Sequence, residues 1–179
     1  MKKLIYIICG FCAISNYAQN ETGSINTAFT LSKVAMLDLE PDNSTVTLSL
    51  STNEAGEKVA IVPSNNKKWL NFSSAVSSTE AARSISVKID GGQVPSGLFL
   101  KLSTSNVMGI GKGLRGTPAA EVTLNNTSQT IVSNIRGAYT GNGFGNGYEL
   151  TYNLEIFDYK LLDFNQSATL TITLTLSDL

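Results

Sequence analysis

Gly111-Lys112-Gly113-Leu114-Arg115-Gly116 has the G-x-G-x-x-G spacing that lets backbone amides approach a pyrophosphate at the start of a helix. Its context does not carry that chemistry. Thr117-Pro118 follows where the helix should run, a strand pattern comes next, and Arg136 stands about where a ribose-binding acid belongs. The glycines predict a mobile loop. Asp38, Glu40 and Asp42 are spaced two apart, so in an extended segment their carboxylates share a side and could offer oxygen ligands to calcium. Pro41 instead suggests a turn, no EF-hand-type loop accompanies the three acids, and Asp158 and Asp163 complete a site only if the fold brings them near. The expectation is a solvated acidic face without a metal.

The catalytic inventory is poor. The chain has no histidine, and its two cysteines, Cys9 and Cys12, both lie in the first eighteen residues. If that segment is removed, a Ser-His-Asp triad, a thiol nucleophile and an ordinary zinc site are all excluded. A glycosidase needs only two carboxylates, but Glu149 and Glu155 share no more than the polar face of one strand pattern. A non-enzymatic protein without a cofactor is expected.

Exposed aromatic rings serve as stacking platforms in sugar-binding sandwiches. Tyr148 and Tyr152 share an apolar face with Leu150 and Leu154, and Trp69 stands beside Leu70 and Phe72, so all three are expected in the core. Phe144 differs, because it lies in Gly141-Asn142-Gly143-Phe144-Gly145-Asn146-Gly147 with no apolar neighbour in the chain to cover it. It is the best candidate for a ligand contact, set against a hairpin whose phenylalanine folds back on the sheet. Asn43, Asn71, Asn125 and Asn165 satisfy the glycosylation sequon, as chance allows in a chain rich in Asn, Ser and Thr.

The elements that must position these residues are strands. Tyr148, Leu150, Tyr152, Leu154 and Ile156 alternate with Glu149, Thr151, Asn153 and Glu155, and Ala168, Leu170, Ile172, Leu174 and Leu176 alternate with a row of threonines. Val46, Leu48 and Leu50, then Ile85, Val87 and Ile89, then Leu98, Leu100 and Leu102 repeat the pattern. Weaker strands are expected at 25–31, 34–39, 58–62, 69–72, 121–124 and 130–135, making about ten in all. No window carries an apolar helical period. The pattern predicts a single all-β domain, an antiparallel β-sandwich, with a closed barrel as the rival. No repeat of roughly 20 to 50 residues points to a propeller or solenoid.

Lys2 and Lys3, the short apolar run Leu4 to Ile14 and small residues at Ser15 and Ala18 read as a secretory signal peptide, cut after Ser15 or Ala18. A cut after Ala18 leaves 161 of the 179 residues, with 11 basic against 14 acidic side chains and no basic block, so nucleic acid is a poor partner. No later stretch approaches the roughly 18 apolar residues of a membrane helix, so no membrane insertion of the mature chain is expected. The destination implied is secreted, extracellular or at the cell surface.

Behind the cut, Gln19 to Ser24 is polar, and then Ile25, Thr27, Phe29 and Leu31 alternate with Asn26, Ala28, Thr30 and Ser32. Residues 19–32 therefore read either as the first strand of their own sandwich or as a strand that completes a sheet in a neighbouring copy.

Val34-Ala35-Met36-Leu37-Asp38-Leu39-Glu40-Pro41, Lys68-Trp69-Leu70-Asn71-Phe72-Ser73-Ser74, and Gly137-Ala138-Tyr139-Thr140-Gly141 leading into Gly147-Tyr148-Glu149-Leu150-Thr151-Tyr152 resemble segments of a family of small secreted proteins of Bacteroidota. That family is similar to fimbrial or spore-coat-U-like pilin subunits, although this chain lacks the spore-coat-U cysteines once the leader is gone. The resemblance implies an exported structural or adhesive subunit, assembled with copies of itself or related subunits by a periplasmic chaperone and usher. A secreted glycan- or ligand-binding module acting through Phe144 is the second expectation.

Overall fold

A computed structural model describes residues 25–62, 66–163 and 165–178. The leader expected at 1–18, both cysteines and residues 19–24 lie outside the described residues. The chain divides into two compact units, Met1–Leu31 and Ser32–Leu179.

In the first unit, residues 25–31 belong to no strand, and Ile25, Phe29 and Leu31 are 90%, 91% and 85% exposed. The strand expected there does not form within the described chain.

The second unit carries thirteen short strands among its described residues. In chain order they are β1 (Val34–Glu40), β2 (Leu50–Ser51), β3 (Ala60–Ile61), β4 (Lys67–Ala75), β5 (Arg83–Gly91), β6 (Leu98–Thr104), β7 (Lys112–Gly113), β8 (Thr117–Pro118), β9 (Val122–Thr123), β10 (Gln129–Ile135), β11 (Ala138–Tyr139), β12 (Tyr148–Ile156) and β13 (Thr171–Asp178). The front sheet runs β7-β11-β4-β12-β6-β9, with β1 on the free side of β4; the back sheet runs β13-β5-β10-β8; β2 and β3 form a separate hairpin ladder. Every pairing is antiparallel, and the two large sheets share no ladder. The protein is an all-β sandwich and not a closed barrel.

Period-two alternation explains the core directly. On the front sheet Leu70, Phe72, Leu100, Leu102, Tyr148, Leu150 and Tyr152 turn inward to meet Ile85, Val87, Ile89, Ile131, Val132 and Ile135 of the back sheet. Burying each such side chain stabilises the fold by about 1.5–3 kcal/mol. Desolvation raises the Tyr148 and Tyr152 hydroxyls to a pKa of about 12. Alternation fails once, in β10, where Ile131 and Val132 are both fully buried. Register shifts within that strand, with Asn134 at φ 60°, release consecutive residues to the same side.

Two expected strands are shorter than their patterns. Of the alternation ending at Leu50, only Leu50–Ser51 is strand, and Ala168 and Leu170 precede β13 without joining it. Alternation records one-sided burial, which Val46, Leu48 and Leu170 retain by packing on the core. Pairing also needs a neighbouring strand in reach, and here both sheets end.

Candidate functional site

One lateral side of the sandwich is closed at one end and open at the other. At the closed end Arg83 is 1% exposed. Its Nε donates to Asp178 Oδ1 at 2.8 Å, and its Nη1 donates to Ser74 Oγ at 3.1 Å and to the Val34 carbonyl. One guanidinium thus ties β5 and β13 of the back sheet to β1 and β4 of the front. Lys33 reinforces it from outside with ion pairs to Asp178 at 2.7 Å and Glu80 at 3.2 Å. Hydrogen bonds from Arg83 and then Lys33 hold the Asp178 carboxyl below its ordinary range.

Toward the other end the two sheets part around a groove of about 1280 Å³. Val46, Leu48, Leu100, Leu154, Ala168 and Leu170 are among its apolar lining residues. Lys68 marks its rim from the core face of β4. Its Nζ donates to Asp42 Oδ1 at 2.9 Å, to the Asp42 carbonyl at 3.0 Å and to Ser44 Oγ at 3.0 Å. Bonds from the Ser44 hydroxyl, Lys68 and the Ser44 amide hold the Asp42 carboxyl far below the usual range. Asp42 is therefore drawn away from Asp38 and Glu40, and the three carboxylates do not converge. Asp158 and Asp163 accept backbone amides within their own turns, from Lys160 and Asn165. Among the described residues no group of three or more acidic, cysteine or histidine side chains could hold a metal ion.

The core is incomplete along this side. Ile85, Val87 and Ile89 of β5 are 0%, 1% and 8% exposed, whereas Ile172, Leu174 and Leu176 of β13, directly beside them, are only partly buried. Among the described residues β13 pairs with β5 alone, so its outer edge carries no ladder, although β1 lies close to it.

The other face of the front sheet carries a second cluster. Trp69 and Asn71 lie on the side of β4 opposite Leu70 and Phe72, and both are buried, at 6% and 4% exposure. Trp69 is buried, as expected, but stands outside the cluster packed between the two sheets. It is covered by the glycine-rich 141–147 loop, whose Phe144 packs edge-on to the indole with ring centroids 5.6 Å apart. Phe144 remains 74% exposed while making this contact, so it folds back on the sheet and faces solvent at once. Asn71 Nδ2 donates to the Gly143 carbonyl at 3.4 Å. That cover also closes the Asn71 sequon to modification in this conformation. Period two could have placed Trp69 on the outer face, because Leu70 and Phe72 already claim the inner one.

The G-x-G-x-x-G segment does structural work. No helix follows it; Lys112–Gly113 and Thr117–Pro118 are short strands instead. The Tyr148 hydroxyl donates to the Arg115 carbonyl at 2.9 Å, with that of Gly116 at 3.2 Å, and so pins the loop expected to be mobile onto the core. Gly116 has φ +99°, and a Cβ there would stand 2.6 Å from the Ser133 carbonyl, so close backbone approach requires glycine. Glu149 and Glu155 are bound to different lysines, Lys67 and Lys101.

The chain matches no protein-family model and no curated protein.

Proposed function

We propose that this protein is an exported, non-enzymatic structural or adhesive subunit of the cell surface, assembled by β-strand addition, with residues 25–31 of one copy completing the sandwich of the next. The observation that carries the reading is the unfinished core along β13. Ile172, Leu174 and Leu176 stay partly buried on a strand that no other described strand pairs on its outer side, and Ile172 lines the open groove. The chain also supplies an alternating apolar segment in Ile25, Phe29 and Leu31, all exposed. Seven extended residues span roughly 23 Å, close to the roughly 26 Å of the eight-residue β13 edge. Backbone bonds to that edge would give affinity, and alternate side chains entering the groove would give register.

The reading further assigns the leader to export, and delivery to a periplasmic chaperone and usher that shield the groove until a neighbour's strand arrives. The test is a chain beginning at Ser32, titrated with a synthetic peptide of residues 25–31. The expected result is a folded monomer whose thermal midpoint rises with peptide concentration. A stable monomer indifferent to the peptide sinks the reading.

A further inference from the structure

On the outer face of the front sheet, away from the groove, two buried polar atoms have no hydrogen-bond partner among the described residues: Trp69 Nε1 and Asn71 Oδ1. One is a donor and the other an acceptor. They belong to side chains two apart on β4, both covered by the 141–147 loop through Phe144 and the Gly143 carbonyl. Leaving such atoms unsatisfied is costly, so each calls for a partner that the described residues do not provide.

The surroundings narrow the chemistry. Asp38 stands directly opposite Asn71 and Glu40 opposite Trp69 across the β1–β4 ladder, and among the described residues neither is in an ion pair. Glu149 flanks Trp69 on the other side, in register on β12, but its charge is paired with Lys67 at 2.8 Å, so Asp38 and Glu40 are the carboxylates that count. Two residues beyond Asn71, Ser73 lies between Met36 and Tyr139, which are 67% and 46% exposed. The face therefore combines aromatic rings, a buried donor beside a buried acceptor, and flanking carboxylates. Hydroxyl groups donate and accept on one atom, carboxylates accept from hydroxyls, and aromatic rings pack on apolar C–H surfaces. Carbohydrate offers all three together. The acidic flank disfavours anionic sugars by like-charge repulsion.

We infer that this face is a binding site for neutral oligosaccharide, with Trp69 and Phe144 as its aromatic contacts and Asn71, Asp38 and Glu40 as its polar ones. The 141–147 loop acts as the lid. Its tip touches the sheet through the Phe144–Trp69 contact and one long hydrogen bond to Asn71, and Gly143 and Gly145 on either side of Phe144 have open space around them. Lifting it admits a sugar hydroxyl to the indole N–H and the amide oxygen.

Trp69 is the chain's one tryptophan, so its emission reports this site alone. The unaltered chain beginning at Gln19 is titrated with cellohexaose, xylohexaose, laminarihexaose and mannohexaose, and with hexagalacturonate as the anionic control. The site predicts a saturable emission shift with at least one neutral hexasaccharide and none with hexagalacturonate. Phe144→Ala should weaken that binding about tenfold, as loss of one aromatic contact does. Calorimetry on Trp69→Phe, which keeps a ring and removes the N–H, should show a loss of similar size. Absence of a saturable shift with all four neutral sugars overturns the assignment, as does undiminished binding by Phe144→Ala protein with an unchanged circular-dichroism spectrum.

Discussion

Arg83 and Asp178 face each other in register across β5 and β13, joined by a 2.8 Å bond from Nε to Oδ1. The same guanidinium reaches Val34 and Ser74 of the front sheet, so this pair fixes the spacing of the two sheets at one end of β13. Toward the other end of that strand the sheets part around the groove. A latch of this kind lets one side of a sandwich stay open without the layers separating.

Replacing Arg83 with alanine should therefore destabilise the protein by about 3 kcal/mol, because a buried side chain and its hydrogen bonds to three strands are lost together. Asp178→Asn should cost less, since that carboxylate is half exposed and leaves Arg83 two other acceptors. Chemical denaturation of both variants checks the order; equal losses would show that the ion pair, and not the guanidinium's reach across the sheets, holds this end.

Stability should be level from about pH 5 to 9 and fall on both sides. With no histidine, and with no cysteine in a chain beginning at Gln19, no side chain ordinarily titrates in that window. Asp42, Glu80, Asp90 and Asp178 are all held below their ordinary values, so their contributions are complete above about pH 4 and are lost as pH falls through the depressed folded values. Lys33 and Lys101 are raised, so theirs persist until pH climbs past about 10.4. Thermal melts across the range read this directly. A pronounced transition near pH 6 would contradict it.

Truncations on neighbouring strands should differ sharply. Ile85→Ala removes a fully buried side chain and should cost about 3–4 kcal/mol, whereas Leu174→Ala, from a partly buried position beside it, should cost about 1 kcal/mol in the isolated subunit. If a strand from another copy adds to β13, as proposed, the Leu174→Ala penalty should grow on assembly, because that strand would complete its burial. Urea unfolding of monomer and assembly gives both numbers, and a penalty unchanged by assembly would place the contact elsewhere.

Tyr148→Phe should cost about 1 kcal/mol through loss of the bond to the Arg115 carbonyl, leaving the core ring in place. Faster amide exchange at Leu114 to Thr117 in this variant would mark the loop the hydroxyl pins; protection unchanged there would deny it that role.

Much of the sandwich was legible in the chain because one-sided burial writes itself as alternation. Tyr148, Leu150 and Tyr152, like Ile85, Val87 and Ile89, lie inward as their spacing requires. Two-residue strands such as β7, β8 and β11 leave no such trace, being too short for a period. Val46, Leu48 and Leu170 show the opposite limit. Their alternation is sound and their burial partial, yet no ladder takes them in, because pairing depends on a neighbour that local pattern does not encode. The Arg83 latch was equally hidden, since an arginine beginning a strand reads as solvated until four strands meet around it. For the outer face, Phe144 was visible as an uncovered ring in a glycine loop, but its partner Trp69 was obscured by apolar neighbours that point the other way.

The central claim is that residues 25–31 of one copy lie along β13 of another. Phe29 and Leu174 are each replaced by cysteine in one chain beginning at Gln19, which has no other thiol, and the protein is oxidised after assembly. Strand addition between copies predicts a ladder of covalent oligomers that collapses to monomer on reduction and is suppressed by excess peptide of residues 25–31. A covalently closed monomer with no ladder would show the segment pairing within its own chain and would contradict the claim.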